Sequence, residues 1–312
     1  MESRLRVSSS PHIRSSESTQ RIMRDVTIAL LPAAAFGVYN FGMNAFIILA
    51  LSVLTAVGAE ALSQKVRGVE ITVSDFSAVV TGLLLAMNLP SSAPFWLPIV
   101  GSAFAIIIVK QAFGGLGHNF MNPALAARAM LVASWPVQMT TWTSVGVDST
   151  SSATVLGILK EGLDVPLPSL SSALIGTMGG CIGETSALLI ILGGLYLIYR
   201  GVISIKIPAI YIGTFTVLTL IITGFDVYMT VLQLLAGGLM LGAFFMATDY
   251  ASSPISPKGQ IYYAIGMGVL TVIIRFYGGY PEGVSYSILL MNVAAPLIDK
   301  FTKPHVFGGA KK

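Results

Sequence analysis

The chain has 312 residues, of which 54% are hydrophobic and only 10% charged, with a formal net charge of +4. Soluble domains carry about 25% charged residues, so this composition excludes a soluble globular protein and predicts an all-α polytopic membrane protein. The single cysteine excludes an internal disulfide or an iron–sulfur cluster held by this chain alone. The three histidines lie far apart in the sequence, so we predict no metal site and, from the placement of the charges, no nucleic-acid partner.

Apolar segments follow a polar, basic tail at residues 1–24, which lacks the apolar region of a signal peptide and which we expect to be cytoplasmic. Ten segments are candidate spans, and several are shorter than the ~20 residues of a straight transmembrane helix, which indicates tilted or broken helices. They lie at 25–41, 43–63, 72–88, 95–112, 121–134, 186–200, 206–223, 229–246, 260–277 and 284–300.

The basic residues orient these spans. With ten spans and the N-terminus inside, every Lys and Arg except Lys160, Arg128 and Arg275 falls in an inner segment. Cytoplasmic segments carry such an excess, so we predict that both termini, including the tail at 301–312, are cytoplasmic. The protein is then a multi-pass protein of the inner (cytoplasmic) membrane. The loop at 135–185 faces outward and contains the polar run "STSSATVLG" (149–157).

The two halves of the chain resemble each other in the order of their landmarks. Residues 81–106 parallel 241–269, each with a Gly-to-Met stretch, a Pro/Ser loop and a Gly/Ala-rich helix, and 113–131 parallel 276–298. We therefore predict two five-helix repeats, at 25–134 and 186–300. Five is an odd number, so the second repeat is inverted in the membrane, an arrangement that places binding sites where the repeats meet.

Ionisable residues in or near the spans are candidate functional residues, because burying a charge in a membrane is costly. Asp75 and Asp249 occupy matching places in the two halves, and either helix capping or ion coupling explains them. Glu60 and Asp299 are expected at the membrane interface. Arg128, in the short fifth span, would pair either with an anionic cofactor group or with a buried acid.

Specific motifs along residues 22–300 resemble those of the RnfD/NqrB family of membrane flavoproteins, and RnfD most. They occur in order as "TGLLLAMNLP", "KQAFGGLGHNFMNPALAARA", "WPVQMTTW", "SSAT", "GCIGETSALL", "FFMATD", "YPEG" and "NVAAPLID". The resemblance implies a subunit of the Rnf complex, which transfers electrons between ferredoxin and NAD⁺ and couples this to Na⁺ or H⁺ transport. Its partners would include an extracytoplasmic flavoprotein and iron–sulfur membrane subunits. No dinucleotide-binding motif is present, so we do not expect this chain to bind NAD by itself.

The resemblance also implies a cofactor site. In the family motif, FMN is bonded through its phosphate to the final threonine, which here is Thr154, after Ser151, Ser152 and Ala153. A flavin transferase would form this bond. "GCIGETSALL" would line the flavin pocket with Gly183, Glu184, Thr185 and Ser186, although the last three also suit a helix N-cap. Asn122, Pro123 and Arg128 are weaker candidates, for a second, noncovalent flavin (riboflavin) or for subunit contacts.

Two other functions suit parts of the pattern. Inverted repeats also occur in small-solute channels and transporters, although a transporter has no need of a hydroxyl-rich attachment loop. A purely structural anchor for other subunits would not require an intact "SSAT" motif. Without the family order, "SSAT" would suggest only a flexible or N-capping loop.

Overall fold

The computed structural model describes residues 17–142, 154–162, 167–184, 186–280 and 282–303. Within these ranges the chain is helical and forms no strand, only an isolated β-bridge between Pro90 and Cys181. The helices are α1 Thr19–Val66, α2 Ser77–Met87, α3 Trp96–Phe104, α4 Pro123–Ser134, α5 Pro136–Thr140, α6 Val155–Glu161, α7 Leu170–Ile175, α8 Ala187–Tyr199, α9 Lys206–Ile222, α10 Val227–Leu235, α11 Leu239–Leu241, α12 Pro257–Tyr277 and α13 Val284–Thr302. π-Helical turns extend α3 over Ala105–Gln111 and α11 over Gly242–Met246.

Several helices are suited to cross a membrane, which confirms a helical membrane protein. In the described part of the chain, α1, α12 and α13 are long and apolar enough to span alone, and α10 with α11 and its π-turn forms a fourth candidate bent by 62°. The other apolar helices are shorter. With 11 residues, α2 is about 16 Å long, roughly half the ~30 Å of a bilayer core. The ten-span count therefore stays a prediction.

A break divides the longest helix where the sequence separates two predicted spans. With 48 residues, α1 would be about 72 Å long if straight, more than twice the bilayer core. Gly42 interrupts it with φ 70° and ψ −154°, values that glycine adopts without a steric penalty. The two parts correspond to the predicted segments 25–41 and 43–63.

Small residues let the helices of the core approach closely. At Gly82 of α2 an added Cβ would lie 2.8 Å from the backbone of Val53 in α1, and at Gly193 of α8 it would lie 2.4 Å from the Ala29 carbonyl oxygen. Such contacts are typical of membrane helix packing, because they bring backbones into van der Waals contact. They hold α2 and α8 against α1.

Candidate functional site

Thr154 lies at a fixed, buried position. It is the N-cap of α6, and its Oγ1 accepts a hydrogen bond of 3.1 Å from the Gly157 N–H. The residue is only 7% exposed. The polar run "STSSATVLG" suggested an open loop. The predicted attachment residue Thr154 instead belongs to a packed element. Ser151, Ser152 and Ala153 lie outside the described residues.

A short apolar cluster holds α6 against the helical body. Val155 and Leu156, which follow Thr154, pack with Ala173, Leu232 and Ala236. At the other end of α6, the Lys160 ammonium donates to the carbonyl oxygens of Gly278 and Tyr280, at 2.5 and 2.7 Å. Both ends of α6 are thus fixed, and the segment between α12 and α13 forms part of its support.

The Thr154 side chain borders a cavity of about 330 Å³. This volume is within the ~300–1,000 Å³ typical of cofactor pockets. The lining residues come from α4, α5, α6, the start of α13 and the loop positions next to these helices, and they include three aromatic side chains. They are Arg128, Ala129, Val132, Met139, Thr140, Trp142, Thr154, Gly157, Glu161, Tyr280, Glu282, Ser285 and Tyr286. In the predicted topology this outer cavity faces the extracytoplasmic side.

Arg128 enters the outer cavity from α4 and forms a buried ion pair with Glu282. The two side chains are 7% and 13% exposed. The guanidinium also donates to Asn88 Oδ1 at 3.2 Å and to Ser285 Oγ at 2.8 Å. Of the two alternatives that the sequence left open, the structure therefore shows pairing with a buried acid. Glu282 was not among the predicted site residues, although it belongs to the "YPEG" motif.

The "GCIGETSALL" segment separates into different roles. Glu184 borders a narrow cleft beside Thr154 that Glu282 also lines. Gly183 instead packs against α2, where an added Cβ would lie 2.6 Å from Met87 Cβ. Ser186 is the N-cap of α8, accepting from the Leu189 N–H. Among the described residues, neither Gly183 nor Ser186 lines the cavity or the cleft, and Thr185 lies outside the described residues.

Three side chains converge beside this cleft. One ligand-type atom from each of Cys181, Glu184 and Glu282 lies within 4.8 Å of the others. The Arg128 guanidinium contacts two of them, since it pairs with Glu282 and its Nη2 lies 3.7 Å from Cys181 Sγ. Cys181 and Glu184 lie three positions apart in one motif, but Arg128 and Glu282 are distant in the sequence, so no sequence spacing could have indicated the whole cluster.

A second buried arginine, Arg275, caps the free carbonyls at the break between α10 and α11. The Arg275 guanidinium donates to the carbonyl oxygens of Gln233, Ala236 and Gly237, at 2.5, 3.0 and 3.1 Å. It also lies 5.0 Å from the centre of the Phe215 ring. These carbonyls end a helix and carry partial negative charge, so the cation satisfies them inside the protein.

A smaller cavity of about 90 Å³ lies on the predicted inner side, between the two halves. Asn122 and Pro123 line it, whereas Arg128 lines the outer cavity, so the structure separates the candidates for a second flavin. Asn122 also caps α4, accepting from the N–H groups of Ala124 and Leu125 at 3.0 and 3.3 Å. This confirms the predicted helix start at Pro123.

Two charged residues near the inner cavity form an ion pair that the sequence did not predict. Glu60, expected at the membrane interface, and Lys110, expected in an inner segment, are 1% and 2% exposed and paired at 2.7 Å. Lys110 also donates to Ser77 Oγ at 2.6 Å. Pairing inside the bundle satisfies both charges, which hydropathy cannot reveal. Asp299 accepts hydrogen bonds from the N–H groups of Ile255 and Ser256.

Asp75 and Asp249 both stabilise turns. Asp75 Oδ1 accepts from the Ser77 N–H at 2.8 Å and from its hydroxyl at 2.6 Å, at the start of α2. Asp249 accepts from Ser252 Oγ at 2.9 Å and from Asn119 Nδ2 at 3.4 Å. The N-cap position of α2 is Phe76, so Asp75 supports the first residue of α2 from the turn before it, and ion coupling by Asp75 or Asp249 remains a proposal.

Comparison with known proteins agrees with these motifs. A family model described as the NQR2, RnfD, RnfE family matches residues 6–308. The chain belongs to this family. The resemblance inferred from the sequence motifs is thereby confirmed.

Relatives of this NQR2/RnfD/RnfE family member are named as components of ion-translocating oxidoreductase complexes. The chain is 56% identical to a component of the Na⁺-translocating ferredoxin:NAD⁺ oxidoreductase complex of Acetobacterium woodii, over 99% of this chain and 97% of the relative. It is 49% identical to a component of the proton-translocating ferredoxin:NAD⁺ oxidoreductase complex of Clostridium ljungdahlii, over 97% and 96%. It is 37% identical to a component of the ion-translocating oxidoreductase complex of Halorhodospira halophila, over 96% and 94%. These names favour the electron-transfer interpretation over a solute transporter.

Proposed function

We propose that this chain is the membrane electron-transfer subunit of an ion-translocating ferredoxin:NAD⁺ oxidoreductase (Rnf) complex and carries FMN bonded through its phosphate to Thr154. The named relatives support the assignment to the complex. The observation that carries the cofactor assignment is the position of the Thr154 side chain at the wall of the 330 Å³ outer cavity. In this proposal electrons pass between partner subunits through the cofactor, and Na⁺ or H⁺ crosses the membrane.

The residues of the outer cavity suit a flavin. Trp142, Tyr280 and Tyr286 offer apolar and aromatic surface for a planar ring system, and Tyr280 and Tyr286 already stack with ring centres 5.5 Å apart. Arg128 and Glu282 form a buried ion pair in the wall of the same cavity. A bound flavin would supply one- and two-electron chemistry, while the protein sets its position and surroundings.

Thr154 contributes a hydroxyl for the phosphoester and fixes the start of α6. An ester oxygen can still accept the Gly157 N–H, so attachment is compatible with the cap. Thr154 as a whole is only 7% exposed in the folded protein, however, which leaves a second enzyme little access to its hydroxyl. We infer that a flavin transferase acts before α6 docks.

Intact-protein mass spectrometry tests the attachment site. The chain is co-expressed with a flavin transferase, and Thr154→Val, which keeps the shape but removes the hydroxyl, is expected to lose the FMN mass. Thr140→Ala is the matched control, because Thr140 lines the same cavity and also carries a hydroxyl. An unmodified wild-type chain, or an adduct that survives in Thr154→Val, contradicts the proposal.

We propose ten spans in two inverted repeats for the membrane topology. Each predicted span overlaps a helix or helix pair. Among the described residues, the non-glycine positions with positive φ are Phe76 and Phe225, which lie just before α2 and α10, the helices that overlap the third predicted span of each half. Single cysteines introduced at Ser74 and Gly279, in a Cys181→Ser background, are expected to react with an impermeant reagent from the inside and the outside, respectively. Reaction of both from the same side would contradict the topology.

The inner cavity is our proposed place for a second, noncovalent riboflavin. At about 90 Å³ it is smaller than the ~300 Å³ of typical cofactor pockets, so the lining helices would have to move apart. Subunit contacts are the alternative role for Asn122 and Pro123. Denaturing the Thr154→Val protein and analysing the released flavin distinguishes them, because any flavin freed from this variant is noncovalent.

A further inference from the structure

The cluster beside Thr154 contains more negative than positive groups. The carboxylates of Glu184 and Glu282 approach each other and Cys181 Sγ within 4.8 Å. Arg128 is the neighbouring cation, and it is paired with Glu282. Arg275 also faces Glu184, but its hydrogen bonds go to the carbonyls at the break after α10. If both carboxyls were ionised, Glu184 would lack a cation of its own.

Few groups donate hydrogen bonds to the Glu184 carboxyl. The Cys181 N–H approaches Oε2 at a long 3.5 Å. Oε1 is buried and has no hydrogen-bond partner among the described residues. Two glycines enclose the group, since an added Cβ would lie 3.0 Å from Oε2 at Gly180 and 3.1 Å from Oε1 at Gly238. Burying an ionised carboxylate without donors is costly, whereas a protonated carboxyl is tolerated.

The other surrounding elements add no compensating charge. From α6 the facing residue is Thr154, and from the α10–α11 break they are Gly237 and Gly238, so neither element supplies a titratable group. Burial and the neighbouring Glu282 carboxylate raise the pKa of Glu184, which lies outside the spans, above its ordinary value. A divalent cation is a poorer explanation, because Arg128 already occupies the cationic position between Glu282 and Cys181.

We propose that Glu184 holds a proton while Arg128 pairs with Glu282, and that loss of this proton lowers the redox potential of the flavin bound at Thr154. The second part rests on the proposed function. Glu184 and Thr154 border the same cleft, so an added negative charge there opposes the addition of electrons to the cofactor. Glu184 is thus a residue that adjusts the site through its charge and not a catalytic residue.

Infrared difference spectroscopy tests the proton without the flavin. The full-length Thr154→Val protein is examined in detergent as the pH is raised through the neutral range. A protonated-carboxyl C=O band is expected to disappear in this range, and it should be missing in Glu184→Gln. Glu161→Gln is the control, because Glu161 is an exposed acid of the same site. If Glu184→Gln does not fold, labelling with ¹³C-glutamate shows whether the band belongs to a glutamate.

Potentiometric titration of the flavin-loaded protein tests the consequence. Wild type and Glu184→Gln are expected to have the same midpoint potential at low pH, because the amide resembles the protonated acid. As the pH rises, the wild-type potential should fall further than that of Glu184→Gln. A band that is absent from wild type or persists in Glu184→Gln overturns the proton assignment, and parallel potentials overturn the coupling. Absence of flavin from Thr154 would overturn the proposed function, while the infrared result still decides the proton.

Discussion

Replacing Arg275 by methionine should destabilise the protein more than the loss of one surface contact. Methionine keeps most of the side-chain volume but removes the donors to the carbonyls of Gln233, Ala236 and Gly237. These groups surround a buried guanidinium, so water cannot readily replace it. An orphaned buried hydrogen-bonding group costs ~1–3 kcal/mol.

The lower end of this range applies, because the variant no longer has to bury a charge. Three orphaned carbonyls then cost about 3 kcal/mol of unfolding free energy. Since every 1.4 kcal/mol is tenfold, the folding equilibrium constant should fall roughly a hundredfold. Reversible unfolding in mixed detergent micelles with increasing dodecyl sulfate measures this quantity.

Arg67→Met is the matched control. Arg67 also donates to a helix-end carbonyl, that of Gln111 at 2.6 Å, but its side chain is exposed and water can take its place. Its loss should cost about 1 kcal/mol or less. If Arg275→Met is no less stable than Arg67→Met, the carbonyls at the break do not depend on the guanidinium, and our account of the broken helix is wrong.

Four further results are expected. Gly237→Ala should be markedly destabilised, because the φ of Gly237 is +69° and the new Cβ would lie 2.1 Å from Leu156 Cδ1. Gly224→Ala is the control, because Gly224 has φ +67° but open space around it. In the same unfolding assay it should show only the backbone penalty of ~1–2 kcal/mol. Lys160→Gln should speed amide hydrogen exchange in α6 and leave α8 unchanged; equal rates in wild type and variant would argue against the support that Lys160 gives to α6. Asp75→Ala should lower the unfolding free energy by about 1 kcal/mol, because the hydrogen bonds from Ser77 are lost, and Asp75→Asn should lower it much less. Normal ion transport and electron transfer in Asp75→Asn would exclude coupling through this carboxylate. Transferase added to folded, flavin-free protein should modify Thr154 far more slowly than during co-expression, and equal rates would contradict the inferred order of attachment and docking.

The sequence was sufficient for features that depend on local pattern. Hydropathy and charge placement predicted a helical membrane protein, and Gly42, Pro123 and Ser186 marked helix boundaries where the structure has them. The motifs identified the family. These properties follow from neighbouring residues, because a helix start or break is decided within a few positions.

The tertiary structure decided which distant residues meet. Arg128 pairs with Glu282, 154 positions away, and Lys110 with Glu60 inside the bundle, so isolated charges in the sequence became buried pairs. Thr154 was named by a motif, but only the packing of α6 showed its hydroxyl side chain at the wall of a cavity. Hydropathy reflects the cost of burying a single charge, but it contains no information about the partner that the fold brings to that charge. The cluster around Glu184 was therefore not apparent from the sequence.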